Sequence, residues 1–159
     1  LTDWLDFAGG NLQSIQIAKR LMITQMLTRD NLIQKISELG TSKSEIAAVY
    51  LFGSAAADRL TPESDIDLGI LFEQKPSAIE LLQLQEEFTD ALGVQADIVN
   101  LDVASPILRM QVLKNGMRVF TRNETRVNAF FVRAINEYDD LKRVRKPIED
   151  NILKGRIYA

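Results

Sequence analysis

Three short apolar runs, each bounded by polar turn residues, limit what this chain can fold into. Residues 46–52 (IAAVYLF), 65–72 (DIDLGILF) and 95–101 (QADIVNL) have the length and texture of buried strands. Helix signals lie between and around them. Residues 29–39 (RDNLIQKISEL) place Leu32, Ile33, Ile36 and Leu39 on one helical stripe, with Gly40 read as its stop. Ser77 and Glu80 form a capping box that opens a helix to about Ala91, and Gly93 ends it. Ser105-Pro106 starts another helix, because proline at the first helical position loses only an N–H that has no partner there. Gly116 follows that helix, and Met117 to Phe120 read as a short strand. Thr121 and Glu124 suggest a second capping box. Beyond it Val127, Phe130, Phe131, Ala134, Ile135, Tyr138 and Leu141 recur at helical spacing, until Pro147 should kink or end the helix. The order predicts an α+β (α/β) domain with a small mixed sheet flanked by helices and a long C-terminal helix.

A chain of 159 residues suits one such domain. Residues 1–27 are expected to be a lead-in, partly non-native, since the chain starts at Leu1 while Met22 and Met26 are natural starts. Residues 28–120 would be the core, and residues 121–159 an amphipathic helix available to a partner. No apolar run is long enough to span a bilayer, and Leu12 to Leu27 is broken by Gln13, Gln16, Lys19 and Arg20. The expected location is the cytoplasm.

Composition enters through what is missing. The chain has no cysteine and no histidine. Thiolate or imidazole zinc sites, cysteine nucleophiles and Ser-His-Asp triads are therefore excluded. Acid–base or metal chemistry must rest on carboxylates, whose natural ion is a hard one such as magnesium.

Asp65-Ile66-Asp67 is the first place where carboxylates gather. In a strand, residues two apart share a face, so the two acids would converge while Ile66, Leu68 and Ile70 pack on the other side. Gly53-Ser54 ends the first apolar run, where a turn can present backbone N–H groups and a hydroxyl to phosphate oxygens. Asp97 sits within an otherwise apolar run, where a charge is costly unless paired, coordinated or solvated. Each feature alone has a bland explanation: a solvated strand end, an ordinary turn, an edge strand. Together they are the parts of a two-metal phosphoryl or nucleotidyl transfer site.

Gly53-Ser54, ten residues, then Asp65-Ile66-Asp67 resembles the signature of the polymerase β-like nucleotidyltransferases. The short form, with Ser64 to Leu68, Ala96 to Val99, Val112 to Gly116 and a long terminal helix, resembles the minimal nucleotidyltransferases (MNT proteins), which pair with HEPN ribonucleases in toxin–antitoxin modules. That resemblance implies an antitoxin that uses ATP and Mg2+ to place AMP on a tyrosine of the toxin. It implies that Gly53 and Ser54, with Ser64, hold the nucleotide, that Asp65 and Asp67 hold metal, and that Asp97 completes the metal site and acts as base. Many relatives carry Arg-Gly soon after Gly-Ser, where this chain has Ala57-Asp58. The arginine contact is therefore either lost or moved to Arg59.

Tyr50 and Phe52 read as core rather than a base-stacking platform, and Phe130, Phe131 and Tyr138 as a packing stripe that could equally dock a partner. Residues 1–120 hold 10 Lys/Arg and 16 Asp/Glu, a balance of −6, whereas residues 121–159 hold 9 and 6, a balance of +3. Lys142, Arg143, Arg145 and Lys146 make a solvated face or one that meets an acidic partner; direct nucleic-acid binding is not expected. Two other readings are a small-molecule nucleotidyltransferase of the aminoglycoside type and an antitoxin acting by contact alone. Only about forty residues follow the core, against the added helical domain that the former usually carries.

Overall fold

Thr28 caps the first helix through its hydroxyl, which accepts from the Asn31 N–H at 3.4 Å. In a computed structural model that describes residues 28–56 and 64–153, this helix is α1 (Arg29–Ser42). It is followed by β1 (Ile46–Phe52), a short α2 (Gly53–Ala56), β2 (Ile66–Phe72), α3 (Ala78–Leu92), β3 (Ala96–Asn100), α4 (Pro106–Asn115), β4 (Met117–Thr121) and α5 (Glu124–Leu153). The expected α+β class, mixed sheet and long terminal helix are all present. The proposed lead-in, residues 1–27, lies outside the described residues.

The four strands lie in the order β3-β2-β1-β4. β1 pairs antiparallel with β2 and β4, while β2 pairs parallel with β3 across the α3 crossover. One sheet face packs Val49, Leu51, Ile66, Leu68 and Ile70 against Leu32 and Ile36 of α1 and Leu84, Phe88 and Leu92 of α3. The other packs Ala48, Tyr50, Leu71 and Leu101 against Val112 of α4 and Val127, Phe130 and Ala134 of α5. The period-2 alternation of β2 thus sends Ile66, Leu68 and Ile70 to the α1/α3 face, as the sequence implies. Tyr50 is core, as expected.

The local caps hold. Ser77 and Glu80 complete their capping box, Gly93 ends α3 with φ of 72°, and Ser105 caps α4 with Pro106 at its start. Four expectations are corrected. Gly40 does not stop α1, which runs to Ser42; instead a Cβ there would lie 2.6 Å from the Phe120 ring, so glycine admits that ring against the helix. The carbonyls left over at this helix end, those of Gly40, Thr41 and Lys43, are taken by one Arg122 nitrogen at 3.1, 2.8 and 3.2 Å. Thr121 is not a cap but the last residue of β4; Asn123 caps α5 by accepting from the Arg126 N–H at 3.0 Å. Pro147 does not end α5, which continues to Leu153. There the helix is exposed on every side, so the Arg143 carbonyl left without a donor can turn to water. Phe131 is not packed like Phe130: it is 47% exposed.

Candidate active site

The antiparallel register of β1 with β2 places Phe52 opposite Asp67, so the turn leaving β1 arrives beside that carboxylate. Gly53 opens the turn with φ of +68°, a conformation that L side chains rarely adopt. A Cβ at Gly53 would overlap the Asp67 carboxylate, standing 2.9 Å from its Cγ. Glycine is needed twice over, for the dihedral and for the close approach. Gly116, at the end of α4, abuts the same corner: a Cβ on it would lie 3.2 Å from the Leu51 carbonyl oxygen.

The parallel register of β2 with β3 pairs Asp67 with Asp97. Both precede residues of the α4/α5 face by two positions, Gly69 and Val99, so the two acids share that face at the open end of the sheet. Asp97 is exposed because β3 is an edge strand, which explains how a charge is tolerated in that run. Asp65 immediately precedes β2 and is exposed; Asp67 is half-buried. Burial raises the Asp67 pKa above the usual carboxylate value, and the charges of Asp97 and then Asp65 raise it further.

The strongest association is therefore the Asp67–Asp97 pair, with Asp65 as a third charge. Among the described residues, no three acidic side chains stand close enough together to hold a metal ion as they are placed. Ser54 is half-buried in α2 and Ser64 is half-buried just before Asp65, while Arg59 lies outside the described residues. The donors fit a hard divalent cation: they are carboxylates that repel one another, and without histidine or cysteine the chain offers no softer set. A cleft of about 510 Å³, which includes Glu45, Glu73, Lys75 and Glu80, flanks the opposite end of β1 and β2, remote from these acids.

Arg29 is a residue that the sequence reading passed over. Its Nη2 lies 3.5 Å from the Ala56 carbonyl oxygen and 3.9 Å from the Met117 sulfur, tying α1 to the end of the Gly53 turn. A signal was available: a cation at the first position of a helix opposes the helix dipole, so tertiary contacts must hold it there.

The family model described as "Polymerase beta, Nucleotidyltransferase" matches residues 34–125, more than half of the chain and the whole stretch from Gly53 to Asp97. The chain belongs to the polymerase β nucleotidyltransferase family. Within the reach of that family it is 29% identical to the protein adenylyltransferase MntA of Shewanella oneidensis over 110 residues, which cover 69% of this chain and 78% of the relative. Among solved structures it is similar to a chain of a toxin–antitoxin complex with AMP-PNP, at a TM-score of 0.67 and 28% identity over 76% of this chain and 98% of that one. It is also similar to a chain from the complex of a tri-AMPylated Shewanella oneidensis HEPN toxin with its MNT antitoxin, at a TM-score of 0.64 and 26% identity over 79% and 99% of the two chains. Among the described residues no helix is long and apolar enough to cross a membrane.

Proposed function

We propose that this nucleotidyltransferase transfers AMP from ATP to a tyrosine of a cognate HEPN ribonuclease and so neutralises it. The observation that carries the reading is the Asp67–Asp97 pairing beside Gly53, which puts two acids and a glycine turn at one end of the sheet. The similarity to a protein adenylyltransferase, and to chains crystallised with AMP-PNP and with an AMPylated toxin, supports it.

In this reading Gly53 and Ser54 hold the triphosphate, aided by Ser64 and Arg59. Asp65, Asp67 and Asp97 would hold Mg2+, which when bound would neutralise charge on the triphosphate and the leaving group. Asp97 accepts the proton of the tyrosine hydroxyl. The tyrosyl oxygen bonds to the α-phosphorus of ATP, the bond from that phosphorus to the oxygen bridging the β-phosphate breaks, and pyrophosphate leaves. Residues 28–120 form the catalytic unit.

The test is incubation of the chain with the cognate HEPN protein, Mg2+ and ATP labelled at the α-phosphate. Label is expected on a toxin tyrosine, and Asp65→Asn with Asp67→Asn should remove it. Labelling by that double variant would sink the metal assignment. Toxin neutralisation in cells without any labelling would favour contact inhibition.

A further inference from the structure

Gly53–Ala56 is a single helical turn, and a turn that short is not held by its own hydrogen bonds. Tertiary contacts fix it. Gly53 is seated against the Asp67 carboxylate, and Ala55 is wholly buried among the residues that α1 and α3 cover. At the far end, Nη2 of Arg29 stands 3.5 Å from the Ala56 carbonyl oxygen and 3.9 Å from the sulfur of Met117, the first residue of β4. Arg29 is half-buried there and spans α1, α2 and β4. A cation in the first turn of α1 works against that helix's dipole, whereas beside the last carbonyl of α2 it is favourable. An ionised donor also makes a stronger hydrogen bond than a neutral one. The residue type suits its place beside α2 and not its place in α1.

We infer that Arg29 is a positioning residue for ATP: by holding the end of α2 it keeps Gly53 and Ser54 where they meet the triphosphate. Met117 packs with the α1/α3 cluster, whereas Asp67 and Asp97 share the α4/α5 face. The guanidinium therefore acts on the turn and not on the acids, and its effect falls on the nucleotide and not on the acceptor. At 3.5 Å the bond to Ala56 is long, which sets its worth at the low end for a charged donor. The inference rests on the reading of this site as one for ATP.

The experiment titrates the full chain with AMP-PNP and Mg2+ by calorimetry, beside transfer of label from ATP to the cognate HEPN protein. Arg29→Met keeps the reach of the side chain and removes its donors and charge. The Kd for AMP-PNP and the KM for ATP should rise about 10-fold, the loss of one charge-assisted hydrogen bond. The kcat and the KM for the HEPN protein should stay within about twofold. Arg29→Lys, which returns the charge and a donor, should recover most of the loss. A merely structural role would shrink the folded fraction and so lower kcat with the KM for ATP unchanged, and that result overturns the inference. Loss of the cation relieves the first turn of α1, so Arg29→Met should fold; if its melting curve shows otherwise, Arg29→Gln is read in the same way. If the wild type binds AMP-PNP and Arg29→Met binds it as tightly, only the role of Arg29 is overturned. If the wild type binds AMP-PNP but labels no HEPN protein, the proposed function fails and the ratio of Kd values still decides the role of Arg29. If the wild type binds no AMP-PNP, both fail.

Discussion

Asp67 and Asp97 are register partners on adjacent parallel strands, and the charge of Asp97 helps raise the pKa of Asp67. A carboxylate with a raised pKa in the fold contributes stability only below its unfolded value, about 3.9, and loses it as pH rises through the folded value. At neutral pH, without metal, the ionised Asp67 therefore works against the fold. Asp67→Asn should melt at a higher temperature than the wild type at pH 7 in chelator, and the gap should close in acid. Added Mg2+ should stabilise the wild type and not the variant, because ligand that binds only the folded state shifts its stability. Calorimetric scans with and without Mg2+ check both halves. A variant less stable than wild type at pH 7 in chelator would contradict the first.

The same coupling sets the pH dependence of transfer. A carboxylate must lose its proton to hold a cation, so activity should fall in acid with an apparent pKa above that of a free aspartate. Magnesium competes with the proton for Asp67. Raising Mg2+ should therefore move the acid limb to lower pH, while raising ionic strength with a monovalent salt should not reproduce the shift. A pH–rate series at several Mg2+ concentrations decides it.

Gly53→Ala should damage both fold and chemistry. The positive φ costs an L residue roughly 1–2 kcal/mol, and the new methyl would displace the Asp67 carboxylate it overlaps. Activity should drop by about 100-fold, the scale seen when one preorganised transition-state contact is removed. Ser54→Ala lacks both penalties and should leave melting unchanged. Melting curves and labelled-ATP turnover for the two variants separate the effects.

The division between what the sequence shows and what it conceals follows the range of the interaction. Ser77, Glu80, Ser105 and Pro106 act within one helical turn, so their types at their spacing are nearly the whole cause of the caps. Gly40 answers to Phe120, eighty positions away, and reads as a helix stop until that ring is known. Thr121 has the spacing of a cap, yet β4 claims it for pairing with Ala48 and leaves the role to Asn123. Asp65 and Asp67 are legible as a pair because a strand has period two. That Asp97 stands opposite Asp67, and not Asp65, depends on register, which no local pattern encodes.

A second electrostatic arrangement, between α4 and α5, tests how the terminal helix is held. Arg109 of α4 is buried; it pairs with Glu137 of α5 and donates to the Asp102 carbonyl at 2.7 Å. Among the described residues its Nε has no hydrogen-bond partner. Removing Glu137 would leave a buried guanidinium without its counter-charge, whereas replacing Arg109 removes the charge that is costly to bury. Glu137 is 41% exposed, so solvent screening trims the several kcal/mol typical of fully buried pairs to about 1–2 kcal/mol for Glu137→Ala. Arg109→Met, close in volume and uncharged, should cost less, and adding it to Glu137→Ala should recover part of the loss. Urea unfolding of the two single variants and the double variant measures the coupling. Strict additivity would mean that the ion pair does not fasten α5 to α4, and that the Val127–Phe130–Ala134 stripe alone does so.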